Sequence, residues 1–209
     1  LDEQKDTGNR QYDAGRFWPD AMLSLNPKLL EGPTVDDLVN SGDLDEATGR
    51  IFRFGSEPLQ FHRHQAQSIA KAQAGQSYVV TTGTGSGKSL CFFVPVVDAI
   101  VRARKAGGQR RTSAIFVYPM NALANSQINE IEKFIAQSGL PTELKPVVRR
   151  YTGQESHEDR QRIADAPPDI LLTNFMMAEL LLTRQDQLDT KVIENANGLN
   201  FIVLDELHT

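Results

Sequence analysis

The sequence predicts an α/β protein: a parallel sheet with helices on both faces, preceded by a small, irregular, partly helical N-terminal segment. Three observations lead there. From His62 onward, short apolar runs alternate with longer amphipathic stretches. The runs are apolar at nearly every position, as expected of strands covered on both faces. The glycine-rich and acidic motifs fall at the ends of those runs, where open α/β sheets bind ligands.

Taken in order, residues 1–58 are interrupted by Gly15, Pro19, Pro27, Gly32, Pro33, Gly42, Gly49 and Gly55, and support one or two amphipathic turns around Val35, Leu38, Val39 and Leu44. We take this stretch as an acidic accessory segment and residues 59–209 as the main domain. A helix is expected from His62 to Ala74, closed by Gly75 in a left-handed cap. The β-run Tyr78 to Thr81 leads into a glycine loop and then a helix from Lys88 to about Arg104. A buried strand at Ala114 to Tyr118 is followed by a helix from Asn121 to about Gln137, with Leu123, Ile128, Ile131 and Ile135 as its apolar stripe. The remaining expected elements are a strand at Val147 to Tyr151, a polar helix from Ser156 to Ala164, a strand at Ile170 to Leu172, a helix from Asn174 to Leu182 and a last strand at Phe201 to Leu204.

The 209 residues are 40% hydrophobic, enough for one full core. No apolar run is long enough to span a bilayer, and the chain opens on neither a basic leader nor an apolar signal core, so a soluble, cytoplasmic protein with no membrane partner is expected. The absence of an initiator methionine and the stop just after an acidic box suggest a piece of something larger. Cys91, flanked by Leu90, Phe92 and Phe93, reads as a small buried apolar residue. The net charge of −5 argues at first against a polyanionic partner, but its distribution is uneven. Residues 1–58 hold twelve acids and six bases, and residues 59–209 fifteen acids and sixteen bases. Two basic clusters, Arg102, Arg104, Lys105, Arg110 and Arg111, and then Lys145, Arg149 and Arg150, could meet phosphates or form solvated loops.

Thr82-Gly83-Thr84-Gly85-Ser86-Gly87-Lys88-Ser89 stands between an apolar run and a helix, the context of a phosphate loop. Its glycines let backbone N–H groups approach phosphate oxygens, and the helix amino end adds a favourable field. Thr84, Gly85, Ser86, Gly87, Lys88 and Ser89 are therefore candidates to bind ATP. Lys88 would reach the β- and γ-phosphates, and the Ser89 hydroxyl would ligate Mg2+. Thr82 occupies the place of the first glycine in the strict pattern. At the other end of the chain, Asp205-Glu206-Leu207-His208 closes the most apolar run. Asp205 would hold the Mg2+ shell, Glu206 would orient and deprotonate the attacking water, and His208 would couple the nucleotide to whatever lies across the cleft.

These residues resemble the DExH-box helicases and translocases of helicase superfamily two, whose ATP-binding domain is RecA-like. Thr82 to Ser89 is similar to that family's motif one, in which the first glycine is commonly absent, and Asp205 to His208 is similar to motif two. Gln65 resembles the glutamine that reads the adenine edge. Pro119-Met120-Asn121-Ala122-Leu123-Ala124-Asn125-Ser126-Gln127 resembles motif Ia, while Tyr151-Thr152-Gly153 and Thr173-Asn174 fall where the family places its other strand-gripping loops. The resemblance thus implies nucleic-acid contacts at Pro119, Asn121, Ala122, Gln127, Thr152, Gly153, Thr173 and Asn174, made to the backbone, with DNA favoured over RNA. Asn121 and Asn174 would also cap helices. Tyr118 to Gln127 and Ile170 to Leu182 most resemble helicases of bacterial DNA repair and phage defence, the MrfA-like and DISARM-like groups. The family's second RecA-like domain, a partner in the same full-length protein, supplies an arginine finger worth about 10³ to 10⁵ in rate in related enzymes. The fragment alone is accordingly expected to bind ATP weakly and hydrolyse it poorly, and further subunits of a complex are compatible with the pattern. A different reading is a RecA-like scaffold with a vestigial ATP site. The retention of Lys88, Ser89, Asp205 and Glu206 argues against it.

Overall fold

The computed structural model describes residues 29–83 and 85–206, and the calls on residues 1–28, Thr84 and His208 lie outside them. Strand β1 (Glu31–Thr34) leads into helices α1 (Val35–Asn40) and α2 (Glu46–Ile51). Short strands β2 (Arg53–Phe54), β3 (Glu57–Pro58) and β4 (Gln60–His62) follow, with β1 paired antiparallel to β4 and β2 to β3. Thr34 starts α1 through a reciprocal capping box with Asp37. Helix α3 spans Arg63–Gln73, and Gly75 beyond it adopts φ +68, the left-handed geometry a closing glycine supplies.

The main sheet consists of β5 (Ala114–Tyr118), β6 (Val148–Arg150), β7 (Ile170–Asn174) and β8 (Phe201–Leu204), in the order β6-β7-β5-β8. Every pairing in it is parallel, with Ala114 in register with both Ile170 and Phe201. The connecting helices are α4 (Leu90–Lys105), α5 (Asn121–Gln137), α6 (His157–Asp165), α7 (Phe175–Thr183) and α8 (Gln187–Glu194). Alternate strand residues serve opposite faces. Ala114, Phe116, Tyr118, Ile170 and Leu172 join the core under α4 and α5, whereas Leu171 joins Ile163, Met177, Leu181 and Val192 under α6, α7 and α8.

Val35, Leu38, Leu44, Ile51 and Phe52 of the N-terminal elements share the first of these cores with Val94, Val97, Ile100 and Val101 of α4. Each fully buried side chain of this kind contributes roughly 1.5–3 kcal/mol. Polar ties reinforce the packing. Asp98 on α4 is buried and accepts the Asp45 amide at 2.7 Å and Arg102 Nε at 2.6 Å, and Lys105 Nζ lies 2.7 Å from Asp45.

Two expectations need correction. The run Tyr78 to Thr81 joins no ladder among the described residues, and Val79 is 83% exposed. β8 ends the sheet on one side, with Ile202 and Leu204 66% and 46% exposed, and among the described residues the run does not take up its free edge. A different bond fixes it. Pro95 inside α4 has no N–H to give the carbonyl four residues back, which is that of Cys91. The Tyr78 hydroxyl donates to that carbonyl at 2.6 Å and so fastens the approach to the glycine loop onto α4. The second correction is α8, a helix the sequence reading left out.

Candidate functional site

The glycine loop turns through left-handed backbone at Gly85 (φ +76) and Gly87 (φ +69), conformations that cost an L-residue energy and glycine little. Thr82 Oγ1 and Ser86 Oγ share a hydrogen bond of 2.6 Å across the loop. Helix α4 begins directly after Ser89, whose carbonyl accepts the amides of Phe92 and Phe93. Gln65 braces the loop from α3. It is 2% exposed, its Oε1 accepts the His62 amide at 2.8 Å, and its Nε2 donates to the Gly87 carbonyl at 2.9 Å. A Cβ on Gly87 would lie 2.6 Å from that same Nε2. Burial and the neighbouring His62 ring, stacked at 5.7 Å, hold His64 below its ordinary pKa. Cys91 is buried, and burial pushes its thiol up, as a packing role requires.

The acidic box arrives from the far end of the chain. Parallel pairing of β8 with β5 carries Asp205 to the carboxyl rim, where its amide donates to the Val117 carbonyl at 3.0 Å. Glu206 follows with φ +52, a left-handed conformation that costs a non-glycine residue on the order of 1–3 kcal/mol and is concentrated at functional sites. Its Oε1 lies 3.8 Å from Lys88 Nζ, both side chains being 29% exposed. Residues 118 positions apart in the sequence thus meet on one rim. Beside them Tyr118 is fully buried, and burial together with the Asp205 charge raises its hydroxyl pKa well above the ordinary value.

The described residues hold no cluster of three or more His, Cys, Asp or Glu side chains suited to a metal. An ion here would draw on few protein oxygens, the Ser89 hydroxyl and the Asp205 carboxylate, and take the rest from phosphates and water. That hard, sparse donor set suits Mg2+.

The nucleic-acid candidates occupy the same rim at the ends of β5, β6 and β7. Pro119 leaves β5, and Asn121 and Ala122 open α5, with Gln127 on its second turn. Thr152 and Thr173 are buried, at 6% and 0% exposure, and Gly153 is exposed. The Thr173 hydroxyl donates to the Tyr151 carbonyl at 2.7 Å, and Thr152 Oγ1 donates to Glu155 at 3.0 Å. Both hydroxyls are thus committed within the chain, and so is the Thr152 amide, which Glu155 accepts at 2.7 Å. Asn174 accepts the Met177 amide at 2.6 Å as the cap of α7.

The first basic cluster is held by partners within the chain, although Arg102, Lys105, Arg110 and Arg111 stay exposed. Arg104 and Arg110 pair with Asp169, which is 2% exposed, Arg102 pairs with Asp98, and Arg111 bonds the Asn197 carbonyl and the Asn200 side chain. These arginines tie helices and loops to the sheet. Of the second cluster, Arg150 reaches Asn125 of α5 at 2.5 Å and lies 3.7 Å from Glu155.

The profile of the DEAD/DEAH box helicase family matches residues 62–209. The chain belongs to that family. Among curated proteins it is 29% identical over 150 residues to the uncharacterized ATP-dependent helicase YprA of Bacillus subtilis, covering 72% of this chain and 18% of YprA. It is 27% identical over 161 residues to the ATP-dependent helicase HRQ1 of Saccharomyces cerevisiae, covering 74% of this chain and 13% of HRQ1. The chain thus spans less than a fifth of the length of either relative. Among solved structures, the DUF1998 helicase MrfA bound to DNA aligns with a TM-score of 0.67 at 27% identity, covering 87% of this chain and 22% of that one. MrfA bound to DNA and AMPPNP aligns over 95% of this chain and 26% of that one, with a TM-score of 0.68 at 24% identity. The helicase Lhr of Mycobacterium smegmatis, bound to ssDNA and AMP-PNP, gives 0.64 at 22% identity, over 80% of this chain and 21% of that one. This helicase domain has the RecA-like α/β fold of those neighbours. No helix of the described residues is long and apolar enough to cross a membrane.

Proposed function

We propose that the whole protein couples ATP hydrolysis to movement along DNA, as a helicase or translocase, with residues 59–209 as its first RecA-like ATP-binding domain and residues 1–58 as an accessory segment. The observation that carries this reading is the approach of Lys88 Nζ to Glu206 Oε1 at 3.8 Å, which sets the phosphate loop and the DExH carboxylate on one sheet rim. Loop amides from Gly85 to Ser89 face the phosphates, and the Lys88 ammonium exchanges its carboxylate neighbour for phosphate oxygen. Glu206, released from Lys88, orients and deprotonates the attacking water. Ser89 and Asp205 would hold Mg2+, which supplies charge neutralisation at the phosphates when bound. Gln65 keeps the loop in shape from one side, its amide oxygen and nitrogen being committed to the His62 amide and the Gly87 carbonyl, so it would read an adenine edge only by exchanging those bonds. His208 and a second RecA-like domain carry the nucleotide state onward.

The nucleic acid is gripped through its backbone by the loops at Pro119 to Ala122, Thr152-Gly153 and Thr173-Asn174, and by Gln127 on the second turn of α5. DNA is favoured over RNA because the MrfA neighbour of 27% identity is bound to DNA. The test is ATP turnover by the full-length protein with and without DNA or RNA. Turnover is expected to rise with single-stranded DNA and to fall about 10²- to 10⁴-fold in Glu206→Gln, the range a positioned general base supplies. Lys88→Ala is expected to abolish it. A full-length protein that no DNA or RNA stimulates overturns the reading.

A further inference from the structure

The three strand-end loops at this rim are joined by one side chain. Asn174 Nδ2 donates to Asn121 Oδ1, where α5 begins after β5, at 2.5 Å, and to the Thr152 carbonyl, in the loop after β6, at 3.1 Å. Its Oδ1 accepts the Met177 amide at 2.6 Å. The amide orientation is fixed by two partners that admit no alternative, since a backbone N–H can only donate and a carbonyl can only accept. Capping α7 needs the oxygen alone. The two N–H bonds cross to elements 53 and 22 residues away, and a cap has no use for them.

The surroundings close the unit. The Thr173 hydroxyl fastens the Tyr151 carbonyl at 2.7 Å. Glu155 accepts the Thr152 amide at 2.7 Å and the Gly153 amide at 3.0 Å, so the middle loop is shaped by its own carboxylate. Parallel strands set the three loops side by side but leave each free to tilt. A hydrogen-bonded hub removes that freedom before any ligand arrives, which lowers the ordering cost of binding.

We infer that Asn174 is a positioning residue: its side chain holds the Asn121, Thr152 and Asn174 loops in one arrangement, and it serves nucleic-acid binding through those loops, its N–H groups being already committed. This rests on the reading of the rim as a nucleic-acid surface. The test uses two variants of the full-length protein. Asn174→Ser keeps an oxygen able to cap α7 but is too short to bridge, whereas Asn174→Ala loses cap and bridge together. ATP turnover is titrated with single-stranded oligo-dT, and backbone hydrogen exchange is followed in residues 119–122 and 151–155. Asn174→Ser, which loses both bridging bonds, is expected to raise the half-saturating oligo-dT concentration about ten-fold or more, with turnover at saturation kept within about two-fold. Exchange in both segments is expected to speed up. If Asn174→Ser matches wild type in titration and exchange while Asn174→Ala alone is defective, the residue is a cap only and the inference is overturned. Faster exchange with an unchanged half-saturation overturns it as well. Should wild type itself show no stimulation by any nucleic acid, the proposed function fails separately. The exchange measurement then still decides whether Asn174 joins the loops: faster exchange upholds the hub, and unchanged exchange removes it.

Discussion

Gly87→Ala tests the geometry of the phosphate loop most directly. Gly87 sits at φ +69, where an L-residue costs roughly 1–2 kcal/mol. The new methyl would also lie 2.6 Å from Gln65 Nε2, a contact no relaxed structure tolerates, and the Gln65 side chain is too enclosed at 2% exposure to step aside freely. Displacing it forfeits its bond to the Gly87 carbonyl, about 1 kcal/mol net. Together these come to roughly 2–3 kcal/mol against the binding-competent loop, or about 30- to 150-fold in nucleotide affinity. Gly83→Ala is the matched control, because a Cβ there meets nothing within 4 Å. The assay is titration of the full-length protein with a fluorescent ATP analogue, run as a double-mutant cycle with Gln65→Ala. In the Gln65→Ala background the collision is gone and only backbone strain remains, so the cost of Gly87→Ala should shrink to about ten-fold. Equal losses for Gly87→Ala and Gly83→Ala, or a Gly87→Ala cost that ignores Gln65, would refute the argument.

Further outcomes follow from the packing. Asp169→Ala strands Arg104 and Arg110 and removes the acceptor of the Val147 amide, so the urea midpoint of the chain should fall by the equivalent of about 3–5 kcal/mol. Arg110→Ala, at the exposed end of the same cluster, should cost under about 1 kcal/mol. Burial pushes Tyr78 up to about 12, so the folded state keeps its phenol proton longer than the unfolded chain; the resulting stability is complete below pH 10 and is lost as pH rises from 10 towards 12. Tyr78→Phe should flatten that alkaline loss in thermal melts, while costing about 1–3 kcal/mol at neutral pH because the Cys91 carbonyl loses its donor. His64 runs in the opposite sense: depressed below 6.5, it contributes stability above that pH that is lost as pH falls below it, and His64→Gln should remove this acid dependence. If a second RecA-like domain supplies an arginine finger, as proposed, the isolated 1–209 chain should hydrolyse ATP about 10³- to 10⁵-fold more slowly than a protein containing both domains.

Much of this was legible in the residues. Apolar runs of unbroken character gave β5 and β7 because strands buried on both faces leave no polar positions, and they gave β8 although one of its faces is exposed; Asn174 announced the start of α7 as its cap, whereas Asn121, expected to cap α5, is its first helical residue and caps nothing with its side chain. The Tyr78 to Thr81 run misled for a related reason. Its composition is that of a strand, but a strand also needs a neighbour's edge, and pairing is not written in one segment. The arginines misled differently. Counting charges cannot show that Arg104 and Arg110 converge on buried Asp169, 65 and 59 residues away in sequence, because only the fold brings that carboxylate beneath them. The bond from Tyr78 to Cys91 had a signal that could have been used: Pro95 inside an apolar helix leaves the carbonyl four residues earlier without a donor, and Tyr78 is a nearby hydroxyl able to serve it.

The order of strands bears on how a nucleotide state could reach a gripped strand. β5 lies between β8, which ends in the acidic box, and β7, which ends in Asn174. Its last residues are shared out accordingly: the Val117 carbonyl accepts the Asp205 amide, Tyr118 stands in register with Asn174, and the chain then turns through Pro119 into Asn121, the partner of Asn174. Adjacent strands are about 4.8 Å apart, so a shift of Asp205 along the rim meets the Asn121 loop on the neighbouring strand and reaches Asn174 through that one intervening strand. A rigid sheet transmits such a shift only if the loops move together, since independent loops would dissipate it in separate tilts. On the proposed reading, the hydrogen-bonded hub at Asn174 lets the three loops respond as one body.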